Sequence, residues 1–150
     1  MPPYSLRGAT EGDFEFLYSL HEQTMKSYVD QTWGWDDADQ RARFRAGFDP
    51  MRQKIIVSDG QDVGVVAVEE SPRGMFIALL EITPPWQRRG IGAQVVEDIM
   101  KAGNIRGVPT RLQVLKVNPA RRLYERLGFK LVEETQTHHV MEYRAEGAKG

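Results

Sequence analysis

The chain of 150 residues carries 20 basic and 21 acidic side chains, and 41% of its residues are hydrophobic, the balance of a soluble globular protein. A formal net charge of -1 argues against a nucleic-acid binder that works by bulk electrostatics. The lack of cysteine excludes disulfides, thiolate metal sites and a cysteine nucleophile.

The first third of the chain has the pattern of a strand followed by two helices. Residues 4–9 predict a short strand, and Thr10 is placed to cap a helix because acids follow it in the first turn. Apolar residues then recur at helical spacing to about Lys26. After a polar and aromatic stretch at residues 28–36, a second helix is predicted over residues 37–48, before a proline.

The remaining chain alternates strands and helices. Residues 54–58 and 63–69 predict a hairpin around the turn-rich residues 59–62. The largely apolar residues 74–83 predict a central strand, and residues 90–102 predict an amphipathic helix. The predicted order ends with a strand at 111–117, a short helix at 119–127 stopped by Gly128, strands at 129–134 and 138–144, and a frayed tail at 145–150.

This order predicts an α/β layered fold. About seven strands would form one mixed central sheet, and about four helices would flank it. We expect a single domain over residues 1–150, because no linker, repeat or low-complexity tract interrupts the pattern. The order of elements alone does not identify a function.

The segment at residues 87–93, QRRGIGA, follows a strand directly and opens an amphipathic helix. Glycines there let the backbone approach an anion. The unpaired amides of the first helical turn and the positive end of the helix dipole can then hold a phosphate or diphosphate. Arg88 and Arg89 add positive charge. By itself the pattern also fits a tight strand–helix turn with solvated arginines.

Spacing excludes two common nucleotide-binding motifs. A P-loop needs Lys and then Ser or Thr after its last glycine, where this chain has Ala93 and Gln94. A dinucleotide fingerprint needs a third glycine, where this chain has Val95, and belongs in the first βαβ unit.

The stretch LLEITPPWQRRGIGAQVVEDIM resembles the coenzyme A site of the GNAT N-acetyltransferase superfamily, whose signature is Gln/Arg-x-x-Gly-x-Gly/Ala. A second stretch, VNPARRLYERLGF at residues 117–129, is similar to the family element N-x-x-A-x-x-L-Y-x-x-x-G-F. One departure is that Asn118 and Tyr124 are one residue closer than in many relatives. The resemblance spans nearly the whole chain and implies the GNAT fold, in which a central pair of strands splays apart.

The resemblance also implies a site for acetyl-CoA. The pantetheine arm would lie between the splayed strands and bond to strand backbone, and the diphosphate would sit on amides at the start of the third helix. The cofactor-binding residues implied in this way are Ile82, Thr83, Gln87, Arg88, Arg89, Gly90, Ile91, Gly92, Ala93, Asn118, Arg121 and Tyr124.

Acetyl transfer requires an unprotonated amine, a polarised carbonyl and a proton for the departing thiolate. Tyr124 suits the last task as general acid, because a phenol with an ordinary pKa of ~10 stays protonated at neutral pH. Glu81 stands alone as an acid in an apolar strand beside the implied cofactor channel, which makes it a candidate base or substrate contact. Pairing of Glu81 with an arginine, or a water chain as base, are the alternatives.

The acceptor site would lie near the first two helices, which cover it in this superfamily. Tyr28, Trp33, Trp35 and Asp36 would supply aromatic walls and a carboxylate for a cationic amine. Alternatively, these residues pack the helix pair onto the sheet, and Asp36 caps the second helix. His139 lies on a strand that often borders this pocket in the family, with a structural role as its alternative.

We therefore expect an N-acetyltransferase that moves an acetyl group from acetyl-CoA to a primary amine of a small molecule or protein, by direct attack in a ternary complex. The open alternatives are a catalytically inactive coenzyme A-binding sensor or partner subunit, and an enzyme for another acyl donor. We expect no metal, because the chain has three histidines and the adjacent pair would point to opposite faces of a strand. Nucleic-acid and membrane partners are not expected, a homodimer is an open expectation, and the absence of a signal or apolar span predicts a cytoplasmic location.

Overall fold

The computed structural model describes residues 3–145, which contain seven strands and four α-helices in the predicted order. The strands are β1 (Ser5–Gly8), β2 (Lys54–Ser58), β3 (Gln61–Ser71), β4 (Gly74–Ile82), β5 (Thr110–Leu115), β6 (Lys130–Glu134) and β7 (His138–Tyr143). The helices are α1 (Phe14–Trp33), α2 (Asp37–Gly47), α3 (Ile91–Arg106) and α4 (Arg121–Leu127). The predicted frayed tail lies outside the described residues, apart from Ala145.

The strands form one mixed sheet in the order β1-β2-β3-β4-β5-β7-β6, which confirms the α/β layered fold and the middle position of β4. β4 and β5 run parallel, with Met75 opposite Thr110 and Ile77 opposite Leu112. Parallel neighbours need a crossover connection, and α3 provides it. The splay expected between β4 and β5 stays a prediction.

The chain divides into two compact units. The first consists of residues 1–67 and 79–91, and the second of residues 68–78 and 92–150. In the first unit, α1 packs on β2 and β3 through Leu17, Leu20, Ile55 and Val65, none more than 2% exposed. Phe44 of α2 packs against the same cluster. Burial of these side chains, at about 1.5–3 kcal/mol each, fixes the position of both helices in this unit.

Helix α1 is about two turns longer than its sequence predicts, because it continues past Lys26 to Trp33. Val29 extends the buried face, and the hydroxyl of Thr32 bonds to the backbone one turn earlier. Gly34, with a φ of 86°, then ends the helix. The predicted end of the first helix near Lys26 is wrong because exposed polar side chains obscure the helical period after that residue.

In the second unit, α3 is held by Val95 and Val96, which are 2% and 0% exposed, and it runs to Arg106 instead of residue 102. β5, β7 and β6 pair antiparallel. Helix α4 begins at Arg121, two residues later than predicted, and ends at Gly128 with a φ of 105°, as predicted.

Candidate active site

The loop between β4 and α3 is exposed and has an unusual backbone. Arg88 and Gly90 have φ values of 65° and 89°, in the left-handed region. For Arg88, a residue other than glycine, this conformation costs about 1 kcal/mol. Left-handed residues of this kind turn successive amides toward one side of the chain, a geometry that binds anions.

Helix α3 begins at Ile91, immediately after this loop. Ile91 is 1% exposed, so its buried side chain holds the first turn of the helix in place. The first amides have no partner within the helix and lie at the positive end of its dipole. Arg89 lies over the ring of Trp86, at 4.7 Å from the centroid, which keeps a guanidinium beside the loop. These residues fit a diphosphate, because donors, dipole and positive charge occur in one short segment.

The end of β4 is bonded in a way that limits the expected pantetheine contacts. The amide of Thr83 donates to the carbonyl of Val63 at 2.8 Å, so this single N–H is already used. The carbonyl of Ile82 accepts from Nε2 of Gln87 at 2.8 Å. A carbonyl oxygen has a second lone pair, so Ile82 keeps the capacity to accept one more bond.

Glu81 is buried, with its side chain 4% exposed, and its partner is a histidine instead of the arginine considered from the sequence. Oε2 of Glu81 lies 3.1 Å from Nδ1 of His21, on α1. The His21 ring packs against Trp35 and Phe44, with centroids 5.9 and 5.2 Å away. His21 lies on the same face of α1 as Leu17, and a titratable residue on an apolar helix face indicates a polar partner in the interior. The sequence does not identify that partner, because Glu81 lies 60 residues further along the chain.

The aromatic residues of the candidate acceptor region are placed differently from one another. Trp33 is 61% exposed at the end of α1, and Tyr28 is half-buried on the same helix. Trp35 donates from Nε1 to Asp37 at 2.6 Å, and the ammonium of Lys26 lies 5.6 Å from the centre of its indole. A cation of the chain itself therefore already occupies one side of Trp35.

Asp36 caps helix α2, which is the structural role considered from the sequence as the alternative to substrate binding. Its Oδ1 accepts from the backbone N–H of Asp39 at 2.9 Å, which satisfies one of the unpaired amides of the first turn. The carboxylate bonded to Trp35 is that of Asp37 instead. A contact between Asp36 and substrate stays a prediction.

Tyr124 is half-buried on α4, and its ring meets Phe129 edge-on with centroids 5.9 Å apart. Burial raises the pKa of the Tyr124 phenol above its ordinary value, because the phenolate would lose hydration. The hydroxyl therefore remains a proton donor at neutral pH. This is the protonation state that a general acid requires.

Asn118 and Arg121 are both engaged within the second unit. Oδ1 of Asn118 accepts from the backbone N–H of Ala120 at 2.9 Å, which shapes the turn before α4. Arg121 donates to Glu125 from Nε at 3.1 Å and contacts Nε2 of His139 from Nη1 at 3.0 Å. A role for either residue in cofactor binding stays a prediction.

His139 is 7% exposed and lies between charged groups. A guanidinium has no acceptor atom, so Nε2 of His139 accepts from Arg121 and the ring proton resides on Nδ1. Nδ1 lies 3.2 Å from Oε1 of Glu134 without forming a hydrogen bond. A substrate contact by His139 stays a prediction.

The described residues 3–145 provide neither a metal cluster nor a membrane-spanning helix. No group of three or more His, Asp or Glu side chains there is arranged to hold a metal ion. None of the helices in the same range combines the length and the apolar character that crossing a bilayer requires.

Comparisons with solved structures show a shared fold. An N-acetyltransferase, PaiA, from Thermoplasma acidophilum, solved with coenzyme A, aligns at 15% identity with a TM-score of 0.76, over 95% of this chain and 99% of that one. An acetyltransferase from Thermus thermophilus aligns at 20% identity with a TM-score of 0.71, over 96% and 99%. The ribosomal-protein-S18-alanine N-acetyltransferase of Escherichia coli aligns at 17% identity with a TM-score of 0.67, over 95% and 94%.

Sequence comparison identifies the family directly. No curated protein sequence matches the chain. The model of the acetyltransferase (GNAT) domain family matches residues 52–131, a span that includes β4, the exposed loop, α3 and α4. This span is more than half of the chain and contains both stretches that resemble the family. The chain therefore belongs to the GNAT acetyltransferase family.

Proposed function

We propose that this chain is an N-acetyltransferase that moves an acetyl group from acetyl-CoA to a primary amine of a small molecule or protein, by direct attack in a ternary complex. The observation that carries the proposal is the left-handed loop at Arg88 and Gly90, which opens α3 within the span that matches the family. The alignments that cover 95% of the chain support treating residues 1–150 as one catalytic domain.

The loop residues 88–93 would hold the diphosphate of acetyl-CoA, with Arg88 and Arg89 supplying charge and the α3 amides supplying donors. The pantetheine arm would reach β4, where the carbonyl of Ile82 can accept one further bond. Gln87, Asn118 and Arg121 are proposed as further contacts. Acetyl-CoA would supply the activated acetyl carbon and a thiolate leaving group.

Tyr124 is proposed as the general acid for the leaving sulfur. Its raised pKa supports this role, since the hydroxyl keeps its proton where a free amine also begins to be available. Replacement by phenylalanine would remove the proton donor while keeping the ring contact with Phe129.

The acceptor is proposed to be a cationic amine that approaches the region of α1 and α2. The buried Glu81 and the partly exposed His21 form a hydrogen-bonded carboxylate–imidazole pair beside this region. Tyr28, Trp33, Trp35 and Asp36 of the same region, and His139 of β7, remain the candidate substrate contacts.

Donor binding tests the proposal through one glycine pair. Gly90→Glu places a carboxylate and a side chain where an anion would approach, so we expect loss of acetyl-CoA binding in titration calorimetry. Gly107→Glu is the matched control, because Gly107 lies at the other end of α3, has a similar φ of 73°, and a Cβ added there would meet no other atom within 4 Å. Both variants carry similar backbone strain and the same added charge.

A folded Gly90→Glu protein that binds acetyl-CoA like the wild type would overturn the proposed donor site. Thiol release with a panel of amines then tests the reaction. Binding of acetyl-CoA without turnover of any amine would favour the inactive sensor or partner subunit. Faster thiol release from succinyl- or propionyl-CoA would identify another acyl donor.

A further inference from the structure

We propose that His21 is the group that takes the proton from the acceptor amine, through Nε2, and that Glu81 is a positioning residue that holds the ring for this task. The inference rests on the proposed acetyl transfer, and it reassigns the base from the buried carboxylate to its partner on α1. It follows from the position of Glu81, the tautomer of His21 and the exposure of the two side chains.

The position of Glu81 is fixed by its backbone. Gly64 of β3 lies so close that a Cβ on it would come within 2.4 Å of the Glu81 carbonyl oxygen. Two residues further on, Thr83 donates its amide to Val63 at 2.8 Å. These contacts hold the end of β4 against β3, so the Glu81 side chain leaves the strand at a defined point.

The tautomer of His21 follows from the chemistry of its partner. An ionised carboxylate only accepts hydrogen bonds, so the ring proton opposite Glu81 resides on Nδ1 at 3.1 Å from Oε2. The lone pair of the neutral imidazole is then on Nε2. Within the described residues, Nε2 of His21 has no hydrogen-bond partner.

Exposure favours His21 over Glu81 as the residue that meets substrate. The His21 side chain is 21% exposed, whereas that of Glu81 is 4% exposed. Phe44 and Trp35 flank the imidazole and restrict its rotation. The imidazole is therefore the more accessible group of the pair, and the carboxylate behind it is shielded from water.

Further charged groups lie on the two helices next to His21, and among them Glu22 of α1 acts on Tyr18 and Arg41. Beyond Trp35, Lys26 of α1 lies 3.3 Å from Asp37 of α2, and both groups contact the indole. On the α2 side, Arg41 is paired with Glu15 of α1. Glu81 of β4 is the charged group at hydrogen-bond distance from the ring.

The proposed step transfers protons at both ends of the reacting bond. A proton leaves the ammonium nitrogen of the acceptor for Nε2 of His21. The freed lone pair forms the bond from nitrogen to the acetyl carbon, the carbon–sulfur bond breaks, and the leaving sulfur takes the proton of Tyr124. The second proton that the nitrogen loses as the amide forms replaces the one given up by Tyr124, and the proton on His21 passes to solvent.

The kinetic test compares His21→Gln and Glu81→Gln with the wild type, as kcat/KM for the best amine from mildly acidic to alkaline pH. We expect each variant to lose about 100-fold at neutral pH, the usual contribution of a positioned base. The deficit should shrink at alkaline pH, because the amine then loses its proton to solvent. His138→Gln is the control for a histidine replacement, and acetyl-CoA affinity should be unchanged in all three variants.

Loss of activity in Glu81→Gln with a wild-type profile in His21→Gln would overturn the proposal and make Glu81 the base. A deficit of His21→Gln that is equal at every pH would also overturn it, because a structural role predicts no alkaline rescue. A wild type that binds acetyl-CoA but acetylates no amine would contradict the proposed function instead.

A measurement on the unliganded wild type tests the pair without turnover. Long-range proton–nitrogen NMR of the full chain reports which ring nitrogen of each histidine carries the proton, and His21→Gln and His138→Gln assign the signals. We expect the Nδ1–H tautomer for His21, with a changed signal in Glu81→Gln. An Nε2–H tautomer in the wild type would refute the proposal.

Discussion

His21 and His139 are both held by charged neighbours, but among the described residues only His139 has a guanidinium beside it. His21 has the carboxylate of Glu81 at Nδ1, whereas His139 has the carboxylate of Glu134 3.2 Å from Nδ1 and the guanidinium of Arg121 at Nε2. In both rings the proton resides on Nδ1, because a carboxylate only accepts and a guanidinium only donates. The difference lies at Nε2, which is filled by Arg121 in His139 and has no partner within the described residues in His21.

The comparison teaches that burial of a histidine beside charge is not enough to assign a chemical role. The decisive feature is which nitrogen the neighbour occupies. A carboxylate on Nδ1 produces an oriented acceptor at Nε2, whereas a guanidinium on Nε2 removes that acceptor. We therefore expect the pair of His21 and Glu81 to act in proton transfer, and the group around His139 to stabilise the fold without a part in proton transfer.

The largest expected effect is non-additivity in a double-mutant cycle of His21→Gln and Glu81→Gln. Each single change, and also the double change, should lower kcat/KM by about 100-fold at neutral pH, because the two residues act as one unit. Steady-state kinetics of the four proteins measures the coupling. A double variant with a loss of about 10,000-fold would mean that the residues act independently.

A smaller effect is expected when His139 is replaced by leucine. The change replaces the imidazole that accepts from Arg121 with an apolar side chain of similar size, so the free energy of unfolding should fall by about 1–2 kcal/mol. Chemical denaturation measures this loss. The alkaline rescue that distinguishes His21→Gln should be missing from His139→Leu, and its appearance there would reverse the assignments.

An effect of similar size is expected at a structural ion pair. It separates the pH dependence of folding from that of catalysis. The guanidinium of Arg7 lowers the pKa of Asp13 from 3.8 to about 2. Because the folded value lies below the unfolded one, this stability is present above about pH 4 and is lost as the pH falls through about 2. Arg7→Gln should lower the free energy of unfolding by about 1–2 kcal/mol near neutral pH, after allowance for the partial exposure of Arg7.

Denaturation curves from neutral to acidic pH check this expectation, with a flatter pH dependence in Arg7→Gln than in the wild type. Arg52→Gln is the matched control, because it removes an arginine from an exposed pair with Asp49. We expect that control to change stability by less than about 0.5 kcal/mol. An equal effect of both variants would mean that the bonds from Arg7 to Asp13 add nothing specific.

Local patterns in the sequence predicted much of the fold. The element order, the central β4 and the stop at Gly128 follow from apolar periodicity and turn residues, which act over a few neighbours. The length of α1 could not be predicted in the same way. Its last two turns carry Val29 as a buried residue among polar ones, so the helix depends on packing more than on its own pattern.

The candidate site also combines features that local sequence patterns determine with features that only packing determines. The sequence by itself determined the glycine-containing loop before α3 and the position of Tyr124, because both lie in short segments whose spacing carries their chemistry. Only the tertiary structure decided that Glu81 pairs with His21, that Asp36 caps α2 and that Arg121 donates to Nε2 of His139. The bonds of Glu81 and His139 join residues 60 and 18 positions apart, and periodicity reports which side chains are buried, but not which buried group each one meets.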